Sequence, residues 1–380
     1  MERPIYLDYN ATTPVDPAVV EAMLPYLTDH YGNPHSTHRL GAVAAAAVAT
    51  AREQVAGLIG ASAGEIVFTS CASESINLAV KGVAFARGRG HIITSAIEHP
   101  ATLEACRYLE RHFGFALTVL PADEQGRIDP DAVRRALRPD TILITLLHAQ
   151  NETGVIQPVE EVGRIAREAG VLFHVDAAQS CGKIPVDVRA IGCDLLTVAG
   201  HKLYAPKGVG ALYVRSGVVL HPLIHGADYE GGRRAGTENV PYLVALGRAA
   251  EIAEAKLAIG EGRRLAELRD RLQQRLAAAL PIRVTGLGAP RLPNTLHLLV
   301  EGLVGNDLLD AAPEVAASTG SACHAGVSEP SAVLLAMGLA PEEALGSVRL
   351  SLGRYTTAEE VDAAADALIA AARRLRPAAR

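Results

Sequence analysis

The chain reads as an α/β protein built on a mainly parallel, seven-stranded sheet, followed by a smaller α+β domain. Short β-rich runs alternate with amphipathic helical stretches over the first two-thirds, which predicts a parallel sheet covered by helices on both faces. Runs such as ILITLL and VLFHV, bounded by turns, suit strands inside such a sheet. After about Pro241 the texture changes to long helix with few strands.

The seven expected strands are Glu65–Thr69, His91–Ser95, Leu117–Leu120, Thr141–Leu147, Val171–Val175, Leu195–Ala199 and Gly210–Val214. Between them, Ser73–Arg87, Pro100–His112 and Val159–Ala169 carry helical periodicity. Pro241 to Leu280 reads as long helix, broken at Gly260 and Gly262 and ended by Pro281. Asn294–Val300 is the clearest later strand, and a last helix starts near Ala358. The YLDYNATTP segment (6–14) is expected to cross to the small domain. These readings divide the chain into a large domain, 14–255, and a small one made of 1–13 and 256–380.

Composition narrows the function classes. With 49% hydrophobic and 21% charged residues, the 380-residue chain is an ordinary globular protein. A formal charge of -6 offers no general attraction to nucleic acid or anionic membranes. The N-terminus lacks a signal-peptide pattern, and no run approaches the ~20 apolar residues of a membrane span. The longest bland run, 42–51, is Ala-rich helix. Five cysteines (71, 106, 181, 193 and 323) show neither CxxC nor zinc-ligand spacing, so a reducing cytoplasm fits and no metal is expected. No GxGxxG follows an early strand, which argues against a nicotinamide dehydrogenase.

Ligands of open α/β sheets bind beyond the carboxyl ends of the strands. Three such places stand out. TSCASES (69–75) opens a helix with small hydroxyl residues, suiting a phosphate, although Ser73 also suits a plain N-cap. Asp176, after VLFHV, suits a protonated ring nitrogen of a pyridoxal-type cofactor, or equally a helix cap. Lys202, in GHK after LLTVA, suits covalent capture of an aldehyde by a partly desolvated amine. Asp176 and Lys202 on successive strand ends form a more specific signal than either alone. A fourth place, STGSACHAGVSEP (318–330), puts Cys323 in a run of small residues, which suits an accessible thiol better than a core one.

With these motifs in order from YLDYNATTP to VRLSLGRYTT, nearly the whole chain resembles the cysteine desulfurases of the class V aminotransferase superfamily. That resemblance implies the fold type I architecture of pyridoxal-phosphate enzymes. Lys202 would hold the cofactor covalently, and Asp176 would pair with its pyridine nitrogen. His99 would stack on the ring and shuttle protons, and Gln179 would bond the phenolic oxygen. Ala72, Ser73 and His201 would hold the phosphate, joined in a homodimer by Thr237 of the neighbouring protomer. Arg349 would clamp the substrate carboxylate, and Asn151 would assist near that carboxylate and the cofactor ring. Cys323 would receive sulfur from L-cysteine as a persulfide, on a segment whose length resembles the long-loop group. An acceptor protein would then take the sulfur, with iron–sulfur assembly among the destinations.

The family pattern is not matched everywhere. Cys71 stands where Gly is usual, Ile76 replaces Asp or Asn, and Ala199 removes a hydroxyl by replacing Ser. Ending at LRPAAR, the sequence shows no longer tail for docking an iron–sulfur scaffold. SACHAG in place of SACTS has some likeness to selenocysteine lyases, so L-selenocysteine stands as an alternative substrate.

Overall fold

A computed structural model describes residues 3–319 and 329–376, together with the backbone of 323–324 and 327–328. Its strands are β1 Ile5–Tyr6, β2 Ile66–Thr69, β3 His91–Ser95, β4 Ala116–Leu120, β5 Thr141–Leu147, β6 Leu172–Asp176, β7 Leu195–Ala199, β8 Gly210–Val214, β9 Ile282–Val284, β10 Thr295–Val300, β11 Val315–Ala316, β12 Cys323–His324, β13 Val327–Ser328 and β14 Ser347–Ser351. The seven strands expected from the sequence form one sheet in the order β2-β8-β7-β6-β5-β3-β4. Pairs from β4 through β7 are parallel, while β8 runs antiparallel to both β7 and β2.

Side chains of this sheet leave alternately toward two cores. Ile66, Phe68, Ile93, Ile144, Phe173, Leu196 and Ala211 enter one cluster, packed under helices Arg39–Leu58, Val159–Ala169 and Val240–Ala258. Val67, Ile92, Leu143, Leu195 and Leu212 enter the other, under helices Ala72–Arg87 and Pro100–Phe113. Covered on both faces, the inner strands are mostly apolar, and buried polar side chains among them pair with one another, as His91 does with Thr141 and Thr145 with His174.

The connections also reverse direction at β3. Helix Pro100–Phe113 leads from β3 to β4 over one face, whereas Val133 of helix Pro130–Ala136 leads back to β5 over the other. β4 and β5 therefore flank β3, and such a switch point opens a crevice at the strands' carboxyl ends.

A separate apolar cluster joins Leu7 to helices Glu261–Ala279 and Ala358–Leu375 and to strands β10 and β14. The helical stretch expected from Pro241 to Leu280 is broken into two helices, Val240–Ala258 and Glu261–Ala279. Gly260 breaks it with φ +82°, whereas Gly262 is helical and causes no break. β1 pairs with β11 and Asp8 bridges to Ser351, while Thr13 donates to the His201 carbonyl. Segment 5–13 thus spans from the smaller cluster to the edge of the large sheet. Among the described residues, no helix is long and apolar enough to cross a membrane.

Leu7 is fully buried and anchors that spanning segment. Leu7→Ala is expected to lower stability by about 2–5 kcal/mol, read as a fall in the denaturant midpoint with an unchanged slope.

Candidate active site

At the switch point the carboxyl ends of β3, β5, β6 and β7 surround a cavity of about 340 Å³. Each strand end contributes one chemically distinct group. Lys202 leaves β7 through the 3-10 turn Gly200–Lys202. A Cβ on Gly200 would lie 2.7 Å from the Val209 carbonyl oxygen, so the turn requires glycine. The Lys202 Nζ donates to the carbonyls of Asn10 at 2.5 Å and Ala11 at 2.6 Å. Burial, reinforced by the Arg349 guanidinium, pushes its pKa down to about 8, against the opposing pull of Asp8 and Asp176.

Asp176 is the last residue of β6, one further than the expected strand end, and its Oδ1 accepts from the Ala178 amide at 2.9 Å. Burial raises its pKa, because nearby His99 and Lys202 only partly offset the loss of water. A carboxylate held this way is suited to a cationic ring nitrogen. His99 caps helix Pro100–Phe113, its Nδ1 accepting from the Ala101 amide at 3.1 Å, which leaves the ring proton on Nε2. Burial lowers its pKa, and Asp176 works in the opposite direction.

Arg349, on β14, brings a second cation to the cavity. Its Nη2 meets Asp8 Oδ1 at 2.7 Å and its Nη1 donates to the Asn151 carbonyl at 3.2 Å. Asp8 Oδ2 in turn accepts from Ser318 Oγ at 2.9 Å. An aspartate therefore holds the guanidinium fork in a geometry that a substrate carboxylate also satisfies.

The remaining groups fit a phosphate-bearing pyridine cofactor. Ala72 and Ser73 line the cavity at the start of a 16-residue helix, where Cys71 as N-cap supplies no side-chain acceptor for the first amides. Those amides and the helix dipole favour an anion. Glu74, in the same turn, is engaged elsewhere by Ser70 and Arg234. His201 approaches Thr12 Oγ1 at 3.3 Å, and burial drops its pKa to about 4, so it enters as a neutral ring. Buried carboxylate, amine and open helix start together form the donor set that pyridoxal phosphate demands.

Of the residues singled out from sequence, Ala72, Ser73, His99, Asn151, Asp176, Gln179, His201, Lys202 and Arg349 line this one cavity. Thr237 does not; it borders a different recess beside Ser70 and Arg234. The Cys323 side chain lies outside the described residues, its backbone pairing with Ser328 in a short hairpin. Sequence reading missed Asn10 and Lys183, whose contacts organise the site, and treated 6–14 only as a crossing segment. Asn10 lies inside the YLDYNATTP motif already noted, and Lys183 lies four residues after Gln179. Glu98, beside His99, was missed too. Its Oε1 accepts from Ser95 Oγ at 2.6 Å and the Leu147 amide at 3.1 Å, while Oε2 has no partner among the described residues.

Comparison with known proteins follows this geometry closely. The Aminotransferase class-V family profile matches residues 5–364. Cysteine desulfurase IscS of Anaeromyxobacter dehalogenans (strain 2CP-C) is 51% identical over 368 residues, covering 95% of this chain and 91% of the relative. Among solved structures, a NifS-like protein superposes with a TM-score of 0.92 at 38% identity, over 98% of this chain and 100% of the other. A structure described as SspA in complex with cysteine gives a TM-score of 0.82 at 39% identity, over 93% and 99%.

Burial and the neighbouring Asp176 push the Glu98 carboxyl up to about 8. The folded chain keeps that proton between roughly pH 4.3 and 8 while the unfolded chain releases it, so this group's contribution to stability falls as pH rises through that window. Glu98→Gln is expected to match the parent near pH 4 and to exceed it by on the order of 1–3 kcal/mol at pH 8. Denaturant midpoints at the two pH values check this.

Proposed function

The chain belongs to the class V aminotransferases, and on that footing we propose that it is a pyridoxal-phosphate-dependent cysteine desulfurase. One observation carries the reading: a buried amine, a buried carboxylate and an arginine fork share one cavity at the sheet's switch point. A relative named cysteine desulfurase and a neighbour solved with cysteine support it.

The cofactor, when bound through Lys202, supplies an electron sink for charge developing at the substrate Cα. Asp176 would keep the ring nitrogen protonated, Gln179 would meet the ring oxygen, and the helix start at Ala72 and Ser73 would hold the phosphate with His201. Arg349 would exchange Asp8 for the substrate carboxylate, with Asn151 alongside. Lys202, with a pKa near 8, is basic enough to take the Cα proton yet partly neutral at working pH. His99, protonated on Nε2, would move a proton at the substrate thiol. Cys323 would attack the substrate sulfur, so that L-cysteine and the Cys323 thiol become L-alanine and a Cys323 persulfide, with atoms balanced and no outside oxidant. An acceptor protein would then take the terminal sulfur.

The same reading makes 14–255 the large cofactor-binding domain and 1–13 with 256–380 the small one carrying Cys323. It also makes the protein a homodimer in which Thr237 completes the partner's phosphate site. Exposed apolar side chains at Val20, Leu24, Leu27 and Tyr31 support such a contact. Free cysteines at 71, 106, 181 and 193 suit a cytoplasmic setting.

Borohydride treatment of the loaded protein is expected to leave the vitamin B6 adduct on Lys202 by mass spectrometry. Cys323→Ser is expected to retain that adduct but lose on the order of 10³-fold in alanine formation from cysteine. An adduct elsewhere, or near-normal turnover by Cys323→Ser, would sink the proposal. Running selenocysteine in parallel distinguishes a sulfur enzyme from a selenium one.

A further inference from the structure

Lys183 lies behind the cavity, four residues after Gln179. A tight turn fixes its backbone: the Lys183 amide donates to the Ser180 carbonyl at 3.0 Å, and Gly182 takes φ +74°. A Cβ on Gly182 would fall 2.2 Å from Leu203 Cδ1, so the turn has no room to shift. Its Nζ then donates to Gln179 Oε1 at 2.6 Å and to Asn10 Oδ1 at 2.9 Å. Burial pushes this amine well below its ordinary range, and the cations Lys202 and Arg349 add to the effect. Placing a second lysine in a pocket that already contains two cations is unfavourable by itself. Its hydrogen bonds indicate what it accomplishes.

Gln179 Nε2 donates to the Asn10 carbonyl at 2.9 Å. Turning the carboxamide over would set its NH₂ against the Lys183 amine and its oxygen against the Asn10 carbonyl. The second contact is repulsive and the first gives up the Lys183 donation to Gln179 Oε1, so the network favours the observed orientation. Gln179 is left with one unspent N–H, and it lines the cavity. Asn10, itself buried, is held in place by donating to Thr295 Oγ1 at 2.9 Å and accepting from Asn294 Nδ2 at 3.1 Å.

We propose that Lys183 is a positioning residue that locks the Gln179 carboxamide as a donor, so that the cofactor's ring oxygen meets an N–H and not a carbonyl. This rests on the pyridoxal-phosphate reading above. A donor on that oxygen stabilises its anionic form and lowers the proton affinity of the adjoining Lys202 nitrogen. The charged and titratable groups around Lys183 and Lys202 are Arg349, Asp8, Asp176, His99 and His201, none of which is itself altered by a change at Lys183 alone.

The test is the pH titration of the visible absorbance band of the loaded protein, with thermal unfolding as the folding control. Lys183→Met is expected to raise the band's midpoint by about 0.5–1 pH unit, whereas Lys183→Arg, which keeps the donor, stays near the parent. Gln179→Ala is expected to raise it similarly, and adding Lys183→Met to Gln179→Ala should produce no further rise. An unchanged midpoint in Lys183→Met overturns the proposal. So does a full rise that persists in the Gln179→Ala background, since the lysine would then act directly through its charge. Should Lys183→Met not fold, Lys183→Leu removes the same paired donation and is read by the same criteria. A parent protein with no visible band after adding pyridoxal phosphate would remove the underlying cofactor reading; a normal band with an unmoved midpoint removes only the role of Lys183.

Discussion

The site depends on keeping an amine buried at the carboxyl edge of a parallel sheet. Removing water from Lys202 favours its neutral form, and the carbonyls of Asn10 and Ala11 supply the acceptors that water no longer provides. Those carbonyls belong to a segment whose other end is paired with β11 and packed through Leu7 into the second apolar cluster. The chemistry of one residue on the large sheet is therefore set by where the small cluster holds the N-terminal strand. Gly200 makes the approach possible by leaving space beneath the Val209 carbonyl.

Charge inside the cavity is balanced by pairing and by protonation. Arg349 is matched by Asp8, and Asp176 faces the buried amine and His99. Glu98, deeper under the same strands, is held neutral by burial and acts as a hydrogen-bonding strut between Ser95 and Leu147. His174 below Asp176 is neutral for the same reason and is held between Thr145 and Thr197. Lys202 and Asp176 face the cavity, whereas Glu98 and His174 behind it are tied to neighbouring strands. Such a division keeps the reactive amine and carboxylate from being neutralised by stray partners.

Departures from the family pattern gather around the helix start that is proposed to hold the phosphate. Ile76 is buried in the cluster under helices Ala72–Arg87 and Pro100–Phe113, Ala199 is buried at the end of β7, and Cys71 caps a helix without a side-chain bond to it. On that proposal, with no hydroxyl at Cys71 or Ala199, the anion would rest on backbone amides at the start of helix Ala72–Arg87. Backbone donors lose no rotamer freedom when they bind, which suits them to a fixed anion site.

The sheet was legible in the sequence because strands buried on both faces are mostly apolar along their length, and turn residues bound them. Lys202, Asp176 and Arg349 were legible because each stands in a short motif at a strand end or strand. The helix break was half legible: Gly260 and Gly262 look alike in sequence, and only the backbone shows which one adopts a positive φ. Asn10, Lys183 and Glu98 were hidden because their roles come from hydrogen bonds to residues distant in the chain, as between Asn10 and Thr295. Local pattern records propensity and periodicity, which act over a few residues. Which carbonyl reaches which amine is decided by packing of the whole chain, so the orientation of Gln179 and the buried state of Lys202 belong to the tertiary structure alone.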